Sequence, residues 1–333
     1  MKPFIFLIGL FAVTACQSTE RSFQITFRIL DDERKPVTGA KTGVSFENAN
    51  ATKPSERIES TERVTDEEGH VVLGGTTYAS GISYGANKAG YYSAYGLRYH
   101  FKDTRLLRWQ PWNPTIDVVL KRKKNPVPMY AKRVSVEIPA SDADIGYDLL
   151  VSDWVAPHGK GKIADMIFHS VAEVKSDRNY RGKLTVTFPS QGNGLIPFEV
   201  AQIDPSPLRM PYLAPAEGYQ AQRAWRSVRR YNSQTMENEE YIDDSSKTLN
   251  FFIRARTEFD AKGGVAKAMY GKIHAPFIFD ARGIDPWGHT KKQYVAFTYY
   301  LNPDGTRNVE YDPKRNLLKS PKREDSDYEN LDP

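Results

Sequence analysis

The chain holds one cysteine, Cys16, among 333 residues. A single cysteine excludes an internal disulfide and a metal site built on several thiolates, so stability has to come from burial. Long apolar runs are also missing. The longest, Phe4 to Val13, has ten residues, about half of what a membrane-spanning helix needs. The six histidines, His70, His100, His158, His169, His274 and His289, form no H-E-x-x-H pair and no other close cluster, so no metal or cofactor is expected. Charge of one sign is not concentrated either. A net charge of +5 arises from 46 basic and 41 acidic residues spread along the chain, without the basic stripe of a nucleic-acid binder, so nucleic acid is excluded as an expected partner. No internal repeat occurs, and only residues 216–231 have a helix-like pattern, which Gly218 interrupts near its start.

What is present begins with an export signal. Lys2 provides a positive start, the ten-residue apolar run follows, and Val13-Thr14-Ala15-Cys16 closes it with small residues before the cysteine. This tetrad resembles the lipobox of bacterial lipoproteins. The resemblance implies a signal peptide over residues 1–15, cleavage before Cys16 and acylation of Cys16, with residues 16–22 as a lipidated tether. Several acyl chains on one residue anchor a protein stably to a membrane. Gln17 stands where an aspartate would signal inner-membrane retention, so the expected address is the outer membrane of a Gram-negative bacterium.

Beyond the tether the dominant signal is strand alternation. Residues 23–30 alternate apolar and polar almost perfectly, and residues 71–73 and 115–121 are again strand-like. Turn residues lie between them, at 31–35, 65–70 and 87–91. Twelve percent aromatic content favours pleated surfaces over helices. Short strands with turns over about 100 residues predict an antiparallel sandwich. The order of Lys35-Pro36-Val37-Thr38-Gly39-Ala40, Thr65-Asp66-Glu67-Glu68-Gly69-His70, Lys88-Ala89-Gly90-Tyr91 and a closing Ile116-Asp117-Val118-Val119-Leu120 resembles the carboxypeptidase regulatory-like domain, a transthyretin-like β-sandwich. The resemblance covers residues 23–122 and implies a non-catalytic folding or presentation module. Arg34 stands where that family usually has glycine, and Thr42 where it has a larger aliphatic residue.

Lys121-Arg122-Lys123-Lys124-Asn125-Pro126-Val127-Pro128 combines a charge run with two prolines and marks a linker, placed over residues 123–133. A solvated linker is the simpler reading than attraction of this run to anionic lipid. Residues 134–318 form a second, larger domain in which strands again predominate, at 134–138, 183–188 and 249–255. Two hairpins are predicted there. One joins residues 249–255 to 265–272 through Asp260-Ala261-Lys262-Gly263-Gly264; the other joins 294–301 to 306–311 through Asn302-Pro303-Asp304-Gly305. The tail, residues 319–333, is polar and charged and is expected to be disordered. The expected fold class is all-β: an N-terminal antiparallel β-sandwich followed by a larger, mostly antiparallel β domain.

Five patterns carry candidate chemistry. Gly81-Ile82-Ser83-Tyr84-Gly85 matches G-x-S-x-G, but a nucleophile elbow needs a strand–turn–helix, which a β-sandwich does not offer. Asn302-Pro303-Asp304-Gly305 fails as an EF-hand loop, because its first and twelfth positions fall on Tyr300 and Tyr311. The richest polar stretch runs from Asp153 to Lys162, with Asp165 and His169 beyond. Here His158 is a candidate base, Asp153 its orienting carboxylate, Lys160 an anion holder and Trp154 a sugar-stacking ring; the competing reading is a solvent-exposed loop. Arg223, Arg226, Arg229 and Arg230, near the acidic run Glu237 to Asp244, suggest a docking surface or a surface excursion whose charges offset each other. Tyrosines 91, 92, 95 and 99, with Trp109 and Trp112, offer aromatic faces to glycans or, more simply, packing. Together these readings predict a lipid-anchored envelope protein, without a catalytic residue, that binds or assembles with an envelope protein or polysaccharide. A hydrolase of envelope polysaccharide or peptide working near Asp153 and His158 is the alternative.

Overall fold

The structure is a computed structural model, and it describes residues 20–48, 57–200, 206–283, 292–319, 327–328 and 331–333. Cys16 and the whole export signal, and His289, lie outside the described residues. The described chain is all-β, without a helix, and divides into two compact units, Met1–Arg122 and Lys123–Pro333.

The first unit begins with β1 (Arg21–Asp31), β2 (Lys41–Glu47) and β3 (Ile58–Val64). Next come β4 (His70–Thr77), β5 (Gly81–Asn87) and β6 (Ala94–His100). Two short strands, β7 (Asp103–Arg105) and β8 (Arg108–Gln110), precede β9 (Thr115–Leu120). One sheet has the order β4-β1-β8-β7, with β9 running parallel to the second half of β1; the other has the order β3-β2-β5-β6. The inward residues of β1, Phe23, Ile25, Phe27 and Ile29, meet Val44, Phe46 and Ile82 of the second sheet in one core. The period-2 pattern thus puts alternate residues of both sheets inside.

Backbone demands at the turns fall where the sequence placed them. Gly69 has φ +75, and a Cβ there would come within 2.6 Å of the Ile29 carbonyl oxygen. Arg34 takes φ +64, the conformation that glycine adopts without steric cost. Its turn is held by buried Asp31, whose carboxylate accepts the N–H groups of Glu33 and Lys35 and the Arg122 guanidinium. Thr42 is fully buried, so the smaller residue is accommodated inside. Gly81 to Asn87 is strand β5 in an antiparallel sheet, which removes the nucleophile-elbow geometry from Ser83.

The second unit starts with β10 (Val127–Glu137), β11 (Asp144–Asp148) and β12 (Asp153–Trp154). Next are β13 (Met166–Ser176), β14 (Asn179–Thr187) and β15 (Gly194–Glu199). β16 (Gln222–Asn232), β17 (Glu237–Asp243) and β18 (Leu249–Phe259) follow. The last are β19 (Val265–Asp280), β20 (Tyr294–Asn302) and β21 (Tyr311–Asn316). Two six-stranded sheets, β15-β18-β19-β20-β10-β21 and β12-β11-β13-β14-β16-β17, enclose a core of Trp154, Phe168, Trp225, Phe277, Phe297 and their neighbours. Trp225 stacks on Phe277 at 4.2 Å, and Phe277 on Phe297 at 5.3 Å. Gly182 is required where β14 crosses β19, because a Cβ there would collide with that of Ala281.

Four sequence expectations change here. Residues 222–232, within the helix-like stretch, are strand β16, because pairing with β14 turns Trp225 into the core. The β18–β19 hairpin forms as expected, with Gly263 at φ +80. The second hairpin does not: β21 crosses to pair in parallel with β10 and does not return along β20. Buried Glu310 drives that crossing by accepting the N–H groups of Lys124 and Asn125. The same bonds, and β10 itself, place most of residues 123–133 inside the second unit, where the sequence suggests a linker. The described part of the tail is packed: the Arg133 N–H bonds the Asp327 carbonyl, Lys132 lies over the Tyr328 ring, and Leu331 is buried.

Candidate functional site

The stretch from Asp153 to Lys162 closes the gap between β11 and β13. Alternation along β12 separates its two candidate residues. Trp154 pairs with Tyr147 and is 6% exposed, edge-on to Tyr147 at 5.1 Å and to Phe168 at 5.3 Å. Its ring is core, which corrects the reading of Trp154 as a sugar-stacking platform. Asp153 faces the turn, where its carboxylate accepts the N–H groups of Trp154 (2.8 Å) and Lys160 (2.9 Å). Gly159 lets the chain close on that carboxylate, since a Cβ there would lie 2.6 Å from Asp153 Oδ1. His158 is exposed at the tip, with its own N–H bonded to the Val155 carbonyl. Among the described residues no hydrogen bond joins the His158 ring to Asp153, so the acid–base pair is not assembled. The Lys160 side chain is exposed. His169 lies on β13 between Asp144 of β11 and Thr185 of β14, its Nδ1 2.9 Å from Asp144 Oδ1.

Beneath this loop lies a buried ionic network. Asp148 is 2% and Asp165 1% exposed. Asp148 accepts five hydrogen bonds, from the N–H groups of Leu150, Val151, Lys162 and Ile163 and from Arg256 Nη2. Asp165 accepts from Leu149 N–H and, in a two-pronged contact, from Arg256 Nε (2.9 Å) and Nη2 (3.0 Å). Burial by itself would raise the Asp148 pKa; the backbone N–H groups of Lys162, Ile163, Val151 and Leu150 outweigh it and hold the carboxyl below its ordinary value. For Arg256, burial works against the charge, and Asp165 and Asp148 more than restore it. The Asp148 carboxylate, so fully engaged, is a poor proton acceptor, and both carboxylates are committed to Arg256. They staple both ends of the loop to β18. Asp148 and Arg256 escaped sequence reasoning because they lie 108 positions apart; the one local signal is a lone acid, Asp148, between Tyr147 and Leu149-Leu150-Val151. Among the described residues no group of three or more His, Cys, Asp or Glu side chains is placed to hold a metal ion.

The arginine-rich and acidic segments come together as the β16–β17 hairpin on the outer face of the sheet. Cross-strand register sets Glu173, Arg181, Val228 and Ile242 in one row and Val171, Lys183 and Arg226 in the next. These rows line a shallow depression of about 540 Å³. Its apolar patch is Val171, Val228 and Ile242, and charged side chains surround it. Arg181 pairs with Glu240 at 3.0 Å, Arg226 with Asp244 at 2.9 Å and Arg230 with Glu239 at 3.0 Å. Of the four arginines in the run, Arg226 and Arg230 thus pair with the acidic segment across the hairpin, and Arg229 bonds Asn238 there. In the first unit, most of the aromatic stretch is packed: Tyr92 and Trp109 are buried, and Trp109 stacks on Phe101 at 5.8 Å. Tyr95, 60% exposed, and Trp112, 37% exposed, are the exceptions.

No family model matches the chain, and no curated protein matches it. Among solved structures it has a likeness to chlorocatechol 1,2-dioxygenase from Pseudomonas putida, at 12% identity and a TM-score of 0.27, over 31% of this chain and 61% of that one. An intradiol ring-cleavage dioxygenase from Tetranychus urticae shows 18% identity and a TM-score of 0.20, over 25% of this chain and 52% of that one. A mutant of the shaft pilin spaA from Lactobacillus rhamnosus GG shows 9% identity and a TM-score of 0.24, over 86% of this chain and 95% of that one. The matched region spans about three fifths of the chlorocatechol dioxygenase chain. At these scores none of the likenesses carries an argument about activity.

Proposed function

We propose that this chain is a non-catalytic lipoprotein of the bacterial cell envelope, anchored through Cys16, which presents its second β unit to an envelope or extracellular protein. The observation that carries this reading is the outer face of β13, β14, β16 and β17, where exposed Val171 and half-buried Ile242, with Val228 buried at the floor, lie among ion-paired charges. An apolar centre inside a polar rim is how protein interfaces are built. The loop at Asp153 supports the same reading from the other side, since its carboxylate serves the backbone and leaves His158 without an orienting group. The address rests on the first sixteen residues.

The test is recovery of the native protein from gently solubilised membranes, comparing wild type with Cys16→Ala and Val171→Arg. Val171 is 39% exposed, so the arginine places a charge in the patch without disturbing the core. The expected result is a specific partner with wild type, loss of membrane association with Cys16→Ala, and loss of the partner alone with Val171→Arg. Hydrolysis of envelope polysaccharide or peptide that disappears in His158→Ala would overturn the proposal in favour of the hydrolase.

A further inference from the structure

In the sheet β3-β2-β5-β6 of the first unit, the outer face carries small residues along the middle of β2 and β5, between longer side chains on β3 and β6. On β2 and β5 the inward residues Val44, Phe46, Ile82 and Ala86 fill the core. The outward ones at their middle are small: Gly43 faces Gly85 across the two strands, and in the next row Ser45 stands between Ser60 and Ser83, with Arg98 of β6 opposite Ser83. Ser45 Oγ and Ser60 Oγ share a hydrogen bond at 2.8 Å. The result is a trough of about 310 Å³ on a face where bulky residues would strengthen the sheet. Glycines inside paired strands weaken the ladder and mark a bulge or a close approach to the backbone, by the protein itself or by a ligand.

One wall of the trough is aromatic. Tyr95 leaves β6 beside Gly96, whose φ of +72 accompanies a break in the register with β5. Its ring settles over Gly85, where a Cβ would lie 2.6 Å from Tyr95 Cδ1. Gly85 therefore fixes where the ring lies, and the ring stays 60% exposed. The far rim holds Lys41 and Glu62, paired at 2.6 Å, with Asn87 beside them.

We propose that this trough binds a neutral oligosaccharide. An exposed aromatic ring offers its face to the C–H side of a sugar. The serine hydroxyls of the floor both donate and accept, as sugar hydroxyls do. Lys41 and Glu62 neutralise each other and, with Arg98 opposite Ser83, supply directional donors and an acceptor for sugar hydroxyls. This proposal does not depend on the partner of the second unit.

The experiment is calorimetry of the full-length protein in a detergent without a sugar headgroup, against chitotetraose, cellotetraose, maltotetraose and mannotetraose. At least one should bind. Tyr95→Ala and Ser83→Gln, the second filling the trough from its floor, should each weaken binding about tenfold or more. Tyr241→Ala, an equally exposed tyrosine of the second unit, should leave it unchanged. Unchanged thermal midpoints separate loss of the site from loss of the fold; should Tyr95→Ala not fold, Ser83→Gln decides. Absence of binding to every oligosaccharide at millimolar concentration, or undiminished binding in the folded variants, overturns the proposal.

Discussion

Arg256 holds two carboxylates that are nearly inaccessible to water, and its own side chain is only 21% exposed. Replacing it with methionine keeps the bulk and leaves Asp148 and Asp165 without their cation. Breaking a buried pair from one side costs about 3–5 kcal/mol, because the remaining charge stays desolvated. Arg256→Met should therefore lower stability by about that amount in urea unfolding. Trp154 permits a sharper comparison with its neighbours. As a core residue, Trp154→Ala should cost about 3–5 kcal/mol, whereas His158→Ala, at the exposed tip of the same loop, should stay within about 0.5 kcal/mol. A Trp154 that served a ligand would show the reverse, loss of binding at constant stability. The linear sequence shows Asp153, Trp154, His158 and Lys160 as one polar cluster; the pleat sends Trp154 inward and its partners elsewhere, which no count of spacing reveals.

Turns and pairings differ in how far they can be read from local residues. Gly69 and Gly90 both have positive φ, +75 and +82, but only at Gly69 does a Cβ meet backbone, the Ile29 carbonyl oxygen at 2.6 Å. Gly90→Ala should cost only the left-handed conformation, about 1–2 kcal/mol. Gly69→Ala adds a clash of the overpacking kind and should cost roughly 2–4 kcal/mol in the same urea titration. Equal losses at both glycines would refute the turn geometry. Strands such as β1 and β14 were legible because their alternation is local. β16 was not, because Arg226, Arg229 and Arg230 point to solvent or along the hairpin, and only pairing with β14 shows which side of Trp225 is inside. The β20–β21 hairpin failed for a related reason: turn chemistry at Gly305, φ +83, is correct, yet Glu310 carries the chain onward to β10.

At the scale of the whole molecule, a buried histidine of the second unit ties stability to mild acid. His274 on β19 is 4% exposed, packs on Tyr300 at 4.6 Å, and has Lys272 and Arg209 as its charged neighbours. Burial first, then those two cations, push its pKa well below 6.5, so it is neutral in the fold. The unfolded chain takes up that proton once the pH falls below about 6.5, and the folded chain does not. The unfolded state then binds more protons, and stability drops by about 1.4 kcal/mol per pH unit until the pH reaches the folded value. Between pH 6.5 and 5 this slope should appear in urea midpoints of the wild type and flatten in His274→Phe. Asp148 loses its contribution at lower pH, since its carboxyl is held below the usual range, so the two effects separate.

Local chemistry in the sequence was enough to establish the all-β class, the positions of several strands and the turns at Gly39, Gly69, Gly263 and Gly305, because side-chain alternation and positive φ are decided within a few residues. Partners were decided only by the tertiary structure: β1 shared among β4, β8 and β9, β21 against β10, Arg256 against Asp148 and Asp165, and the bare row of Gly43 and Gly85 under Tyr95. These depend on register between strands far apart in the chain. A shift of one residue would turn every outward group inward, and only closing both cores fixes which register holds.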